Sequence, residues 1–115
     1  MEITLLAGVI FIVVGMIMKV YPPKKINWFY GYRTNTSRRS QETWDEGNSY
    51  SAKTMVVAGI VLAIIGFVFL LIPGITGTDI IIGVAFVLLS ALAMIVLTEV
   101  HLNKLFDKEG KRKDI

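Results

Sequence analysis

Three uninterrupted apolar runs, Ile3 to Val20, Met55 to Ile72 and Ile80 to Leu97, limit what this chain can fold into. Each is about 18 residues long, which as α-helix gives about 27 Å, close to the thickness of a bilayer core. Lys19, at the end of the first run, is the single Asp, Glu, Lys or Arg within them. Helices apolar on every face have no side to turn to water, so the runs predict three transmembrane spans, about 3–20, 55–72 and 80–97. The expected fold is all-α, an integral membrane bundle in which residues 1–115 form one domain. Glu2 stands where a signal peptide would carry a basic segment, and no small-residue cleavage pattern precedes Pro22-Pro23. The first run therefore reads as a span.

Basic residues orient the bundle. Lys24, Lys25, Arg33, Arg38, Arg39 and Lys53 fall between the first and second runs, and Lys104, Lys108, Lys111, Arg112 and Lys113 follow the third. Neither the residues before Ile3 nor the Pro73–Asp79 connection contains Lys or Arg. Positive charge is retained in the cytoplasm, which predicts an external N-terminus, a cytoplasmic loop over 21–54 and a cytoplasmic tail over 101–115. The same rule accounts for the net charge of +3 without nucleic acid as a partner. Attraction to the lipid bilayer explains those charges more simply.

Local signals divide the chain further. Pro22 ends the first helix near Tyr21. Lys24 to Tyr30 is too short to span and is rich in rings that favour the headgroup region, and Gly31 turns the chain after it. Arg33 to Arg39 reads as loop. A helix restarts at Ser40, whose hydroxyl caps it while Glu42 occupies the first turn. On that helix Trp44, Gly47, Asn48 and Ser51 share one face, and the helix is expected to continue into the second span. Gly8 and Gly15 on the first span, Gly59, Ala63 and Gly66 on the second, and Gly83, Ser90, Ala91 and Ala93 on the third offer close-packing surfaces. Pro73-Gly74 stops the second span, and Thr76 with Asp79 reads as a capping box for the third. Past Leu97, Leu102, Leu105 and Phe106 share a face expected to lie along the membrane, and Asp107 to Ile115 are expected to be mobile.

Several chemistries are disfavoured. There are no cysteines, hence no disulfide and no thiolate metal site. A lone His101 without His/carboxylate spacing predicts no metal and no cofactor. The spans carry no ionisable group at mid-depth, as an ion-coupled transporter would require, and no nucleophile–base pair can be placed on a common face, so no catalytic residue is predicted. Glu99 near His101 reads as a polar terminus of the third span. A sharper expectation pairs Glu99 with a loop arginine such as Arg33, holding the loop onto the bundle.

What remains is a dense cluster of rings, amides and an arginine: Asn27, Trp28, Phe29, Tyr30, Gly31, Tyr32, Arg33 and Thr34, then Trp44 and Asn48. Membrane anchoring explains the aromatic residues but not the amides and second tryptophan. Asn27, Tyr30-Gly31-Tyr32-Arg33-Thr34, Ser37, Trp44 and Asn48 resemble the signature of the SdpI family of bacterial membrane proteins. Asn35 stands where that pattern often has proline, and one span precedes the motif where the larger member has more. The resemblance implies a non-enzymatic role: immunity to a membrane-active peptide toxin, signalling by sequestering a cytoplasmic partner such as a transcriptional repressor, or both. The glycine-lined spans would engage the toxin or a second copy of the chain. A competing reading is an enzyme or lipid-handling protein in which Asn27, Arg33, Trp44 and Asn48 hold a phosphate or a peptide end at headgroup level.

Overall fold

The computed structural model describes residues 2–72 and 79–113. Three helices follow in order: α1 (Glu2–Val20), α2 (Gln41–Leu70) and α3 (Asp79–Leu105). All three are long and apolar enough to cross a membrane, and the described residues contain no strand beyond one isolated bridge. The chain is an all-helical, multi-pass membrane protein. At about 1.5 Å per residue, the 30-residue α2 is about 45 Å long, well beyond a bilayer core. Its first turns therefore stand proud of the apolar layer, and the loop that precedes them packs around this extension.

α2 starts where its sequence says it should. Ser40 has extended backbone, its side chain accepts from the Thr43 amide at 3.1 Å, and Thr43 Oγ1 accepts from the Ser40 amide at 2.9 Å. This is a reciprocal cap with threonine in the position usually held by Glu or Gln. The helix then runs through the second apolar segment without a break and ends at Leu70, before Pro73. The expected Pro73-Gly74 stop and the side chains of the Thr76/Asp79 cap lie outside the described residues.

α1 and α2 pack antiparallel, backbone to backbone. A Cβ added at Gly8 would sit 2.5 Å from the Ala63 nitrogen and 2.7 Å from the Gly59 oxygen, and one at Gly66 would sit 2.5 Å from the Leu5 nitrogen. Gly15 meets Val56 and Ala52 in the same way. In lipid there is little hydrophobic drive to associate helices, so this approach, with its dense van der Waals contact, is what joins them. α3 is different. Most of its apolar length is exposed, including Leu88, Leu92 and Ile95, and its firm attachment is at its C-terminal end, where Thr98, Leu102 and Phe106 are buried.

That attachment corrects two expectations. Leu102 and Phe106 do not lie along a membrane surface; they form a small core with Tyr32 of the loop, edged by Leu105. The segment after α3 folds back as a turn. Phe106 bridges to Arg112, and the Ser40 hydroxyl donates to the Gly110 carbonyl at 2.6 Å. The Asp107 carboxylate accepts from the amides of Lys111 and Glu109, both at 2.9 Å. These amides, with the Lys111 bond leading, hold the Asp107 carboxyl below its ordinary range. A charged tail is thus ordered over its described part because one carboxylate organises its backbone and an aromatic side chain anchors it.

Candidate functional site

The polar cluster folds around the first two turns of α2. Trp44 is fully buried, and its indole Nε1 donates to the Pro23 carbonyl at 2.8 Å, tying the end of α1 to the start of α2. A buried indole removes roughly 150–250 Å² from water, worth on the order of 4–6 kcal/mol in transfer terms. Gly31 adopts φ 108°, a conformation that disfavours any side chain. A Cβ there would also overlap the Asn48 carboxamide and come within 2.7 Å of the Pro23 ring. The glycine lets the next residue swing inward.

That residue is Tyr32, and Asn48 reads its backbone. Asn48 Oδ1 accepts from the Tyr32 amide at 2.5 Å, while Nδ2 donates to the Trp44 carbonyl at 2.9 Å and faces the Tyr32 carbonyl at 3.4 Å. The Ser37 hydroxyl donates to the Tyr32 carbonyl at 2.9 Å. Ser37 and Thr34 also bond each other reciprocally: the Thr34 amide donates to Ser37 Oγ at 2.9 Å and the Ser37 amide to Thr34 Oγ1 at 3.1 Å. Gly47 leaves room for Leu102, Ser37 and Tyr32, whose atoms would lie 3.2–3.5 Å from a Cβ.

The loop then reaches α3. The Tyr32 hydroxyl donates to Glu99 Oε2 at 2.6 Å, and Thr34 Oγ1 donates to the same oxygen at 2.9 Å. Burial, followed by the Glu99 hydrogen bond and charge, raises the Tyr32 phenol above its ordinary range, so it stays a donor at any physiological pH. The expectation that Arg33 would pair with Glu99 is therefore corrected: two hydroxyls supply the donors instead. Arg33 is exposed and turns outward to the Trp28 carbonyl. Across this arrangement no buried side-chain polar atom among the described residues lacks a partner.

The predicted site residues thus divide in two. Gly31, Tyr32, Thr34, Trp44 and Asn48 converge into one buried network. Asn27, Tyr30 and Arg33 belong to its exposed rim. Asn27 Oδ1 accepts from the amides of Phe29 at 2.9 Å and Tyr30 at 2.8 Å, and the Tyr30 hydroxyl donates to the Tyr21 carbonyl at 2.6 Å. This turn lifts Trp28 and Phe29 outward, 71% and 90% exposed, with the Arg38 guanidinium 4.1 Å from the Trp28 ring centre. Asn27, Arg33, Trp44 and Asn48 do not converge as a phosphate holder would require, since Trp44 is enclosed, the Asn48 carboxamide is taken up by backbone groups and Arg33 turns outward. His101 lies apart, 3.2 Å from Glu46 and stacked on Tyr50 at 4.0 Å between ring centres. Among the described residues no three His, Cys, Asp or Glu side chains group as metal ligands would.

Sequence reasoning passed over Thr43, Leu102 and Phe106 as members of this network. The Thr43 hydroxyl donates to the Ser37 carbonyl at 3.0 Å, and its position three residues after Ser40 was the available signal.

The sequence model of the SdpI/YfhL protein family matches residues 24–99, from the loop through Glu99. The chain belongs to the SdpI/YfhL family. A Bacillus subtilis (strain 168) relative, "Uncharacterized protein YfhL", is 45% identical over 62 residues, which cover 54% of this chain and 56% of the relative. The match thus spans little more than half the length of that relative. No solved structure matches the chain. The SdpI/YfhL match contains Gly31, Tyr32, Thr34, Ser37, Thr43, Trp44 and Asn48 of the buried network, together with the Glu99 acceptor on α3, but not Pro23, Leu102 or Phe106.

Proposed function

We propose that this SdpI/YfhL-family chain is a non-enzymatic membrane protein that acts by binding. It protects the membrane against a membrane-active peptide, with signalling through a cytoplasmic partner as the accompanying role. The observation that carries the reading is the contrast between a closed motif and an open flank. The motif's polar groups are taken up by one another, while α3, held firmly at its C-terminal end, leaves an apolar face uncovered along Leu88, Leu92 and Ile95. A hydrophobic peptide in the bilayer can pack on such a face. The lysine and arginine distribution supports a cytoplasmic loop, in which the Trp28–Phe29 tip and the arginines beside it would meet a partner protein.

The test is survival of a sensitive bacterium expressing the chain, challenged with a panel of membrane-active bacteriocin-like peptides. Protection is expected from the wild type and is expected to fall for Leu88→Ala/Leu92→Ala at equal expression. Equal survival with and without the chain across the panel would overturn the immunity reading. Cytoplasmic signalling is tested in the same cells by photocrosslinking from position 26, an exposed neighbour of the tip. Trp28→Ala/Phe29→Ala is expected to abolish a specific crosslink while leaving the fold intact, and a crosslink that survives that change would count against the tip as docking surface.

A further inference from the structure

A cleft of about 290 Å³ opens where α1 gives way to the Pro22-Pro23 break and α2 begins. Its rim carries Lys19, Lys24 and Lys53, against the single carboxylate of Asp45. Asp45 accepts from Gln41 Nε2 at 2.8 Å, and none of the three lysines has a carboxylate partner among the described residues. Three unpaired ammonium groups around one concavity repel each other and favour an anion between them. Lysine suits phosphate as a point charge.

A second space of about 320 Å³ starts from the same residue. Lys53 also heads an apolar groove between α2 and α3, walled by Val57, Ala58 and Val61 on one side and Ala93, Met94 and Leu97 on the other. The two spaces sit at different depths. The cleft is built from residues at or beyond the ends of the apolar runs, and the groove lies within them. Lys53 marks the junction of a cationic headgroup-level cleft with an acyl-level groove.

We infer that the cleft and groove together hold one anionic phospholipid, its phosphate among Lys19, Lys24 and Lys53 and an acyl chain along the α2–α3 groove. A free phosphate would leave the groove unused. A zwitterionic lipid would bring its own cation toward three lysines. An anionic phospholipid satisfies the charge, the apolar wall and the depth of both at once. This site is distinct from the buried motif, although Asn48 and Pro23 form part of the cleft wall. It does not depend on the immunity reading.

The test is native mass spectrometry of the full chain, released from detergent containing equal phosphatidylglycerol and phosphatidylcholine. One phosphatidylglycerol should be retained in preference to phosphatidylcholine. Lys19→Gln/Lys24→Gln/Lys53→Gln should weaken it by about fivefold per lysine and on the order of a hundredfold together. The charge-matched Lys25→Gln/Lys104→Gln/Lys108→Gln should leave retention unchanged. Ala93→Phe, which fills the groove and spares the lysines, should weaken retention several-fold by denying the acyl chain its van der Waals packing along the wall. If the triple variant loses its helicity, the single Lys53→Gln carries the same comparison. The inference is overturned by equal retention of the two lipids or by an equal loss in the charge-matched variant. Displacement of phosphatidylglycerol by glycerol phosphate at comparable concentration would also overturn it, since the headgroup alone would then be recognised.

Discussion

Replacing Asn48 with leucine isolates one hydrogen bond out of three. Leucine keeps the branched shape and the heavy-atom count of the asparagine side chain, so no cavity is opened, although its bulkier methyls add some overpacking to the lost bond. The Trp44 carbonyl lies one helical turn before residue 48 and keeps its helical amide donor. The Tyr32 carbonyl keeps the Ser37 hydroxyl at 2.9 Å. The Tyr32 amide, by contrast, has Asn48 Oδ1 as its acceptor, and that interior offers it no other. An orphaned buried donor costs about 1–3 kcal/mol. Amide hydrogen exchange at Tyr32 in detergent micelles should therefore accelerate about 5- to 150-fold, since each 1.4 kcal/mol is a factor of ten. Exchange in the middle of α1, which shares none of these bonds, should change far less. Asn48→Asp separates the roles of the carboxamide: it keeps an acceptor for Tyr32 but turns a carboxylate toward two carbonyls, so at neutral pH it should destabilise more than leucine does. An unaltered Tyr32 exchange rate in Asn48→Leu would refute the reasoning, because the amide would then have been bonded elsewhere.

Two further outcomes follow from other parts of the molecule. Gly8→Ala should loosen the α1–α2 pair by about 1–3 kcal/mol, because the new methyl meets the backbone of Ala63 and Gly59, which cannot rotate aside. In this cysteine-free chain, crosslinking between cysteines introduced on α1 and α2 reads the effect, and undiminished crosslinking would count against it. The tail turn should depend on pH with a definite sign. Asp107 is held below its ordinary range in the folded chain, so the stabilisation is present above about pH 4 and lost as pH falls through the folded value. Amide resonances of Glu109 and Lys111 should shift over that range in the wild type and not in Asp107→Asn; an identical transition in both would show that another group is responsible.

Much of the architecture could be read from local pattern because its causes are local. Apolar runs of bilayer length, the Ser40 cap, and the common face of Trp44, Gly47, Asn48 and Ser51 are all set by residues within a few turns of one another, and the structure buries that face. The glycines of α1 and α2 were visible as close-approach points, although spacing alone did not say they would meet each other. The interior of the motif was not readable in the same way. Glu99 lies 67 residues from Tyr32 and 65 from Thr34, so nothing local distinguishes two hydroxyl donors from the nearby Arg33. Desolvation decides it: a guanidinium reaching inward would have to be buried, whereas a phenol and a threonine hydroxyl are buried cheaply once bonded. The order of the tail was illegible for a related reason. Composition marked it as charged, but Leu102 and Phe106 find cover only once Gly31 turns Tyr32 inward.

The motif is held to be a closed clasp that fastens the end of α3 to the loop and α2, and a double-mutant cycle between Tyr32 and Glu99 tests this most directly. Tyr32→Phe, Glu99→Leu and the pair would be compared by denaturation of the reconstituted chain. A hydrogen bond to a charged acceptor, partly shielded from solvent, predicts a coupling of about 1–2 kcal/mol between the two changes. Effects that simply add, within about 0.5 kcal/mol, would mean that the two side chains do not hold α3 in place.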